Sequence, residues 1–316
     1  MGILPTDWPR WPPVLGFLLS PAARHANDQS AAAEVNWSRH DDAWPAGLEL
    51  QWLGTAGFRL SYEGAHLYID PYLTRPPLGP LLRARSLRPS PERIFAHVPA
   101  ADAVVVGHTH FDHALDVPAI CARYRCPAFG SPSLARLMAL HGVPELAREV
   151  EIYRTYSVGP FELTFVPSMH SKLTLGLRIP MDGELTCDHL DHLGSRQYKC
   201  GQVYGIHIAV AGVSFYHQGS ADLIDDAIRH RGVDYFLCGL AGRGYTRDYM
   251  KRVLSRLEPR VVVAQHHDNF MRPLDAPMGF SINVNFGKFV DEVRAVSPDF
   301  AVRALELLQT RGAAAS

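Results

Sequence analysis

Paired cysteines, long apolar runs and a dominant charge are all missing from this 316-residue chain. Its five cysteines (Cys121, Cys126, Cys187, Cys200, Cys238) are odd in number and nowhere form a Cys-x-x-Cys pair. That excludes a disulfide framework or structural zinc knuckle and favours a reducing compartment. No apolar stretch approaches the roughly 20 residues that a membrane-spanning helix needs. The short patch Val14 to Leu19 lies among Pro12, Pro13 and Pro21 and has no basic start, so it does not read as a secretory signal. A cytoplasmic location is expected. With 31 basic against 32 acidic residues there is no electrostatic footprint for nucleic acid or anionic membrane. The local exception, Arg83, Arg85, Arg88 and Arg93, sits among prolines and reads as a solvated loop.

What is present is an apolar content of 47%, enough for a sizeable core. Residues 1–46, rich in Pro, Trp and Ala without sustained periodicity, read as an irregular extension. Residues 47–310 read as the main domain and 311–316 as a tail. Strand-like alternation begins at Leu48 and recurs at Phe58 to Tyr62 and His66 to Ile69. The apolar run Ala103 to Val106 reads as a buried strand, and Phe161 to Val166, Val203 to Val210, Val213 to His217, Tyr235 to Cys238 and Arg260 to Ala264 as further strands. Helices are expected from Ser131, about Ala221, Thr246 and Asn285, and a polar insertion spans about 180–200. Strands in two groups with interspersed helices suggest two sheets packed face to face, with helices outside.

The most informative stretch is Gly107-His108-Thr109-His110-Phe111-Asp112-His113, directly after the apolar run. Three imidazoles and a carboxylate at this spacing, where a strand opens into a loop, suit a divalent transition metal. Strand ends carrying His or Asp recur at Asp70, His170, Asp222 and His266. If these ends share one rim, they build a single polar site on a rigid core.

Together with Trp52-Leu53-Gly54-Thr55-Ala56-Gly57 and Ile69-Asp70-Pro71, these residues resemble the metallo-β-lactamase-fold hydrolases. The branch nearest in look holds the ascorbate-6-phosphate lactonase-like and N-acylphosphatidylethanolamine phospholipase D-like proteins. The resemblance covers roughly residues 48 to 307 and implies an α+β fold, a four-layer αββα sandwich. It implies that His108, His110 and His170 bind one metal ion and that Asp112, His113 and His266 bind a second. Asp70 matches the acid that orients a ligand imidazole. His267 rivals His266, although the family pattern of one His followed by a non-ligand favours His266. One departure stands out. The family places a bridging Asp directly after a Gly, whereas His217-Gln218-Gly219-Ser220-Ala221-Asp222 puts Ser220 there, with Asp222 two residues on. Either the loop delivers Asp222, or the bridge is missing and the second ion is weakly held.

The expected function is a metal-dependent hydrolase that uses a metal-bound hydroxide on an ester, lactone or phosphodiester. One or two ions are expected, zinc first, with manganese and iron compatible with the same donors. Asp112 is the expected proton acceptor if the second ion is absent. Lys172 and Arg243 are candidates for binding a substrate anion, and Tyr245 for donating to a developing oxyanion. Asp188, His189, Asp191 and His192 of the insertion read as a solvated loop. The partner is a small-molecule or lipid-like substrate. Two other classes stay open: an iron-dependent oxidoreductase on the same scaffold, and a metal-binding protein that has lost catalysis.

Overall fold

The computed structural model describes residues 21–82, 86–173, 177–281 and 284–312. The Val14 to Leu19 patch, Arg83, Arg85 and residues 313–316 lie outside the described residues. Strands β1 (Glu49–Gly54), β2 (Gly57–Tyr62), β3 (Ala65–Ile69), β4 (Ala103–Val105), β5 (Ala128–Gly130) and β6 (Ala147–Glu149) form one sheet in that spatial order. The second sheet takes β7 (Thr155–Val158), β8 (Phe161–Met169), β9 (Tyr204–Val210), β10 (Val213–Gln218), β11 (Asp222–Leu223), β12 (Tyr235–Gly239), β13 (Val261–Gln265) and β14 (Ala301–Ala304). Its order is β11-β8-β9-β10-β12-β13-β14, with β7 also paired to β8. Strand β15 (Thr310–Gly312) then returns to the first sheet beside β1.

The helices are α1 (Pro21–Glu34), α2 (Leu78–Leu82), α3 (Pro91–Phe95), α4 (Phe111–Ala114), α5 (Val117–Tyr124), α6 (Pro132–Leu140), α7 (Tyr249–Leu257) and α8 (Phe286–Val296). Three apolar cores separate four layers. Trp52, Phe58, Leu60, Ile69 and Val105 of the first sheet meet Phe161, Leu163, Ile206, Phe215, Leu237 and Val263 of the second. The opposite face of the first sheet, with Tyr68 and Val104, packs on Val117, Ile120, Leu134 and Leu137. The outer face of the second, with Phe236, Cys238 and Val262, packs on Val253, Leu254, Phe289 and Val293. Alternate residues of one strand therefore serve two cores, the period-2 rule of strands buried on both faces. The result is the αββα sandwich that the strand grouping predicts.

Three differences from the sequence reading have local causes. The extension read as irregular over 1–46 carries α1. Its Ala-rich run favours helix but leaves little apolar periodicity to read. Asp28 of α1 accepts from the backbone amides of Phe286 (2.8 Å) and Gly287 (3.3 Å), capping the start of α8. A Cβ on Gly287 would lie 2.6 Å from Asn27 Nδ2, so the two helices approach closely there. Trp37 is buried in the inter-sheet core and meets Trp44 edge-on. The tail begins later than residue 311, because Arg311 and Gly312 pair with Leu50 and Glu49. The helix expected from about Ala221 is instead β11 and a 3-10 turn at Asp225–Ala227. β11 is held by pairing to Met169 and Ser168.

Asp28→Ala is expected to lower unfolding stability by about 1–2 kcal/mol, the usual range for a lost cap with buried donors left behind. Urea denaturation would show a lower midpoint with metal content unchanged, and an unmoved midpoint would refute the capping role.

Candidate metal centre

Asp70 follows β3, His108 to His113 follow β4, His170 follows β8, Ser220 follows β10 and His266 follows β13. These are C-terminal strand ends on one rim, the usual place for sites on sheets of this kind. The structure brings three groups of donors together, each with its ligand atoms within 4.8 Å of one another: His108, His110 and His170; Asp112, His113 and His266; and Asp70, His108 and His113. The rings of His108 and His113 lie 3.8 Å apart, so the groups are contiguous.

Hydrogen bonds on the outer side of the rings fix which nitrogen faces inward. His110 Nε2 lies 2.9 Å from the Pro180 carbonyl and His170 Nδ1 2.8 Å from the Ser171 carbonyl. A carbonyl oxygen only accepts, so those nitrogens carry the proton and donate it. His110 Nδ1 and His170 Nε2 are left as lone pairs facing the cluster. His113 Nδ1 likewise donates to Asp70 Oδ2 at 2.8 Å, which turns its Nε2 toward Asp112. His108 Nε2 sits 3.1 Å from His110 Nδ1. Asp112 Oδ2 is 3.3 Å from His266 Nε2 and 3.8 Å from His113 Nε2.

The electrostatics suit cation binding. Burial holds His108 well below the usual imidazole range, and it pushes His110 down to about 4 and His170 to about 3. These three rings are therefore neutral near pH 7, the form that ligates a metal. Burial opposes protonation of His113, but Asp70 and Asp112 outweigh it and raise its pKa. Burial likewise opposes ionisation of Asp112, yet His113 and His266 overcome it and hold the carboxyl well below the usual range. The donor set, its neutral rings and its preset tautomers fit a divalent ion.

Asp70 accepts from the Gly107 amide (2.7 Å) as well as from His113, and His217 Nε2 lies 4.0 Å away. Asp70 and His266 both hold left-handed backbone conformations, φ 43° and 56°, which cost roughly 1–3 kcal/mol each in a non-glycine residue. The His266 amide donates to the Thr55 carbonyl at 2.7 Å, and Asp268 accepts from the Thr55 amide (2.9 Å) and from buried Arg75 (2.6 Å). That arrangement holds His266 in place. His267 points the other way: its ring stacks on Trp52 at 4.5 Å, and burial lowers its pKa to about 4.

Several expected residues are not brought into the cluster. Asp222 caps its own strand by accepting from the Leu223 amide and lies 3.6 Å from Arg252, in none of the three donor groups. Ser220 occupies the wall beside the cluster, its hydroxyl accepting from the Ser171 amide at 3.1 Å. A Cβ on neighbouring Gly219 would fall 2.8 Å from Asp70 Oδ2, which makes that position glycine by close approach. Lys172 is exposed, and its charge acts on Asp222. Arg243, only 5% exposed, donates to Glu292 and to the Asn285 carbonyl. Tyr245 is half-buried and, like Lys172 and Arg243, does not line the cavity. Asp188, His189, Asp191 and His192 are exposed, as read, while Leu185, Leu193 and Tyr198 anchor the insertion in the outer core.

The cavity over the cluster has a volume of about 400 Å³ and is walled by Phe111, Leu173, Met181, Phe270 and Met271. The sequence reading did not pick out these residues. Phe111 lies inside the histidine signature and was readable there, whereas the others come from loops with no periodic pattern.

A family model described as beta-lactamase superfamily domain matches residues 49–266. A UPF0173 metal-dependent hydrolase of Archaeoglobus fulgidus is 26% identical over 235 residues, covering 71% of this chain and 84% of that protein. One from Carboxydothermus hydrogenoformans is 25% identical over 255 residues, covering 79% and 93%. Among solved structures, Igni18, a metallo hydrolase from Ignicoccus hospitalis, aligns with a TM-score of 0.55 at 20% identity over 84% of this chain and 97% of its own. CmlA, a diiron beta-hydroxylase from Streptomyces venezuelae, aligns at 0.51 and 16% identity over 86% and 55%. At these identities the structural likeness concerns the fold. No helix among the described residues is long and apolar enough to cross a membrane.

Proposed function

From the premise that this chain is a metal-dependent hydrolase belonging to the beta-lactamase superfamily, we propose that it cleaves an ester, lactone or phosphodiester at the histidine–aspartate cluster. In this reading His108, His110 and His170 hold one ion and Asp112, His113 and His266 a second, with zinc the favoured metal. When bound, such an ion supplies Lewis acidity, acidifying a water to a pKa of roughly 7 and drawing charge from the scissile oxygen. The observation that carries the reading is the outward hydrogen bonding of His110, His170 and His113, which points their inner lone pairs at common space.

The chain's own groups do the rest. Where the second ion is absent, Asp112, ionised beside His113 and His266, accepts the proton of the attacking water at Oδ2 and returns it to the leaving oxygen. Asp70 keeps the His113 ring from turning, and the Ser220 hydroxyl, its oxygen already accepting from Ser171, keeps its proton free to donate into the cavity. The substrate is a small or lipid-like molecule, and the compartment is the cytoplasm, in keeping with the odd cysteine count.

Exhaustive chelation is expected to abolish hydrolysis of a panel of p-nitrophenyl esters and bis(p-nitrophenyl) phosphate. Stoichiometric zinc, manganese or iron is expected to restore it. Metal bound at one or two ions per chain with no turnover on any substrate would reject the hydrolase in favour of a binding protein. Oxygen consumption by an iron-loaded preparation would favour the oxidoreductase.

A further inference from the structure

We propose that the cavity over the cluster is built for the apolar acyl body of an uncharged ester or lactone, and not for a phosphate-bearing substrate. This rests on the hydrolase reading of the same centre. Metal donors line the cavity together with Phe111, Leu173, Met181, Phe270 and Met271, and Ser220, Asn269 and Ser281 are the other polar residues of its wall. No lysine or arginine among the described residues lines it. Of the cations beside lining residues in sequence, Arg272 donates to the Pro277 carbonyl at 3.1 Å and Arg178 is exposed. Arg243 is bound to Glu292 and the Asn285 carbonyl, and Lys172 is exposed with its charge acting on Asp222.

A phosphodiester keeps a full negative charge on the part of the molecule that binds, and recognition of such a group uses guanidinium or ammonium donors. Beyond the metal centre and the Ser220 hydroxyl, the wall gives that charge no cationic partner and removes it from water. A neutral carbonyl substrate carries no such penalty, and its hydrocarbon gains from the same wall. The mouth continues the pattern. Met271, in the wall, is 37% exposed. Large apolar side chains left in water at a cavity entrance are ordinarily covered by what enters.

The test uses the full-length, metal-reconstituted protein. Along p-nitrophenyl acetate, butyrate and hexanoate, kcat/KM is expected to rise about two- to fourfold per methylene, the upper value corresponding to ~0.8 kcal/mol. Bis(p-nitrophenyl) phosphate is expected to be at least ~100-fold poorer than the hexanoate, because its charge is taken from water into a cavity without lysine or arginine. A second measurement needs no turnover: Kd values of n-alkyl hydroxamates by calorimetry should fall with chain length in the same proportion. Phe270→Ala combined with Met271→Ser should flatten that slope, and both positions are accessible enough for the variant to fold. Equal efficiency across the ester series, a flat hydroxamate series or a preference for the phosphodiester would overturn the proposal. Chain-length-dependent hydroxamate binding without turnover of any ester would support the apolar cavity while sinking the hydrolase reading on which it was built.

Discussion

Asp112→Asn is expected to lower kcat/KM on the best ester by on the order of 10²–10⁴-fold, the range carried by a positioned proton-transfer group. The substitution keeps the side chain's shape but removes the charge that faces His266 Nε2 at 3.3 Å and His113 Nε2 at 3.8 Å. His108, His110 and His170 do not depend on it, so one tightly held ion per chain should remain by elemental analysis. That split between activity and metal content distinguishes the proposed role from a merely structural one. Activity within a few-fold of the parent, with the first ion still bound, would remove Asp112 from the chemistry.

The second large effect concerns Ser220. Asp112 is the one carboxylate among the donors of the second group, because Asp70 is taken up by His113 and the Gly107 amide and Asp222 is turned to Arg252. Mutual repulsion of the ions is then poorly offset, and the group at Asp112, His113 and His266 should fill last and weakly. Ser220→Asp places a carboxylate in the cavity wall where the hydroxyl now stands. It is expected to tighten the second ion by at least the 10–100-fold that groups supporting metal ligands typically carry. Competition against a chromophoric chelator would resolve the two affinities. A variant whose second-ion affinity equals that of the parent would show that the missing charge is not what limits occupancy. The carboxylate can take over the hydrogen bond from the Ser171 amide, so the loop has no reason to rearrange.

The cluster was legible in the sequence because its members sit immediately after apolar strand-like runs. The chain must leave the sheet there, and only loop-tolerant polar residues fit. The two-sheet architecture was legible for the same reason. Direction came from the resemblance alone, which favoured His266 over His267. His266 and His267 are adjacent and both buried, and a left-handed backbone at His266 sends one ring to the cluster and the other onto Trp52. Backbone handedness at a single non-glycine residue leaves no mark in composition or period. Arg243 and Asp222 failed as site residues because their partners, Glu292 and Arg252, lie far along the chain or on another element. The helix α1 was missed because alanine drives helix formation without producing an apolar stripe.

The bond from His110 to the Pro180 carbonyl joins the ligand loop to the polar insertion. The proton on Nε2 is shared property: it orients the ring for an ion and ties down the backbone of the insertion. Free energy is reciprocal across such a joint. Whatever the ion gains from finding the insertion in place, the insertion gains from the ion. The Met181 side chain that follows Pro180 stands in the cavity wall, so the same joint also steadies part of the surface that meets substrate. Holding the metal and shaping the substrate pocket are therefore coupled through one hydrogen bond.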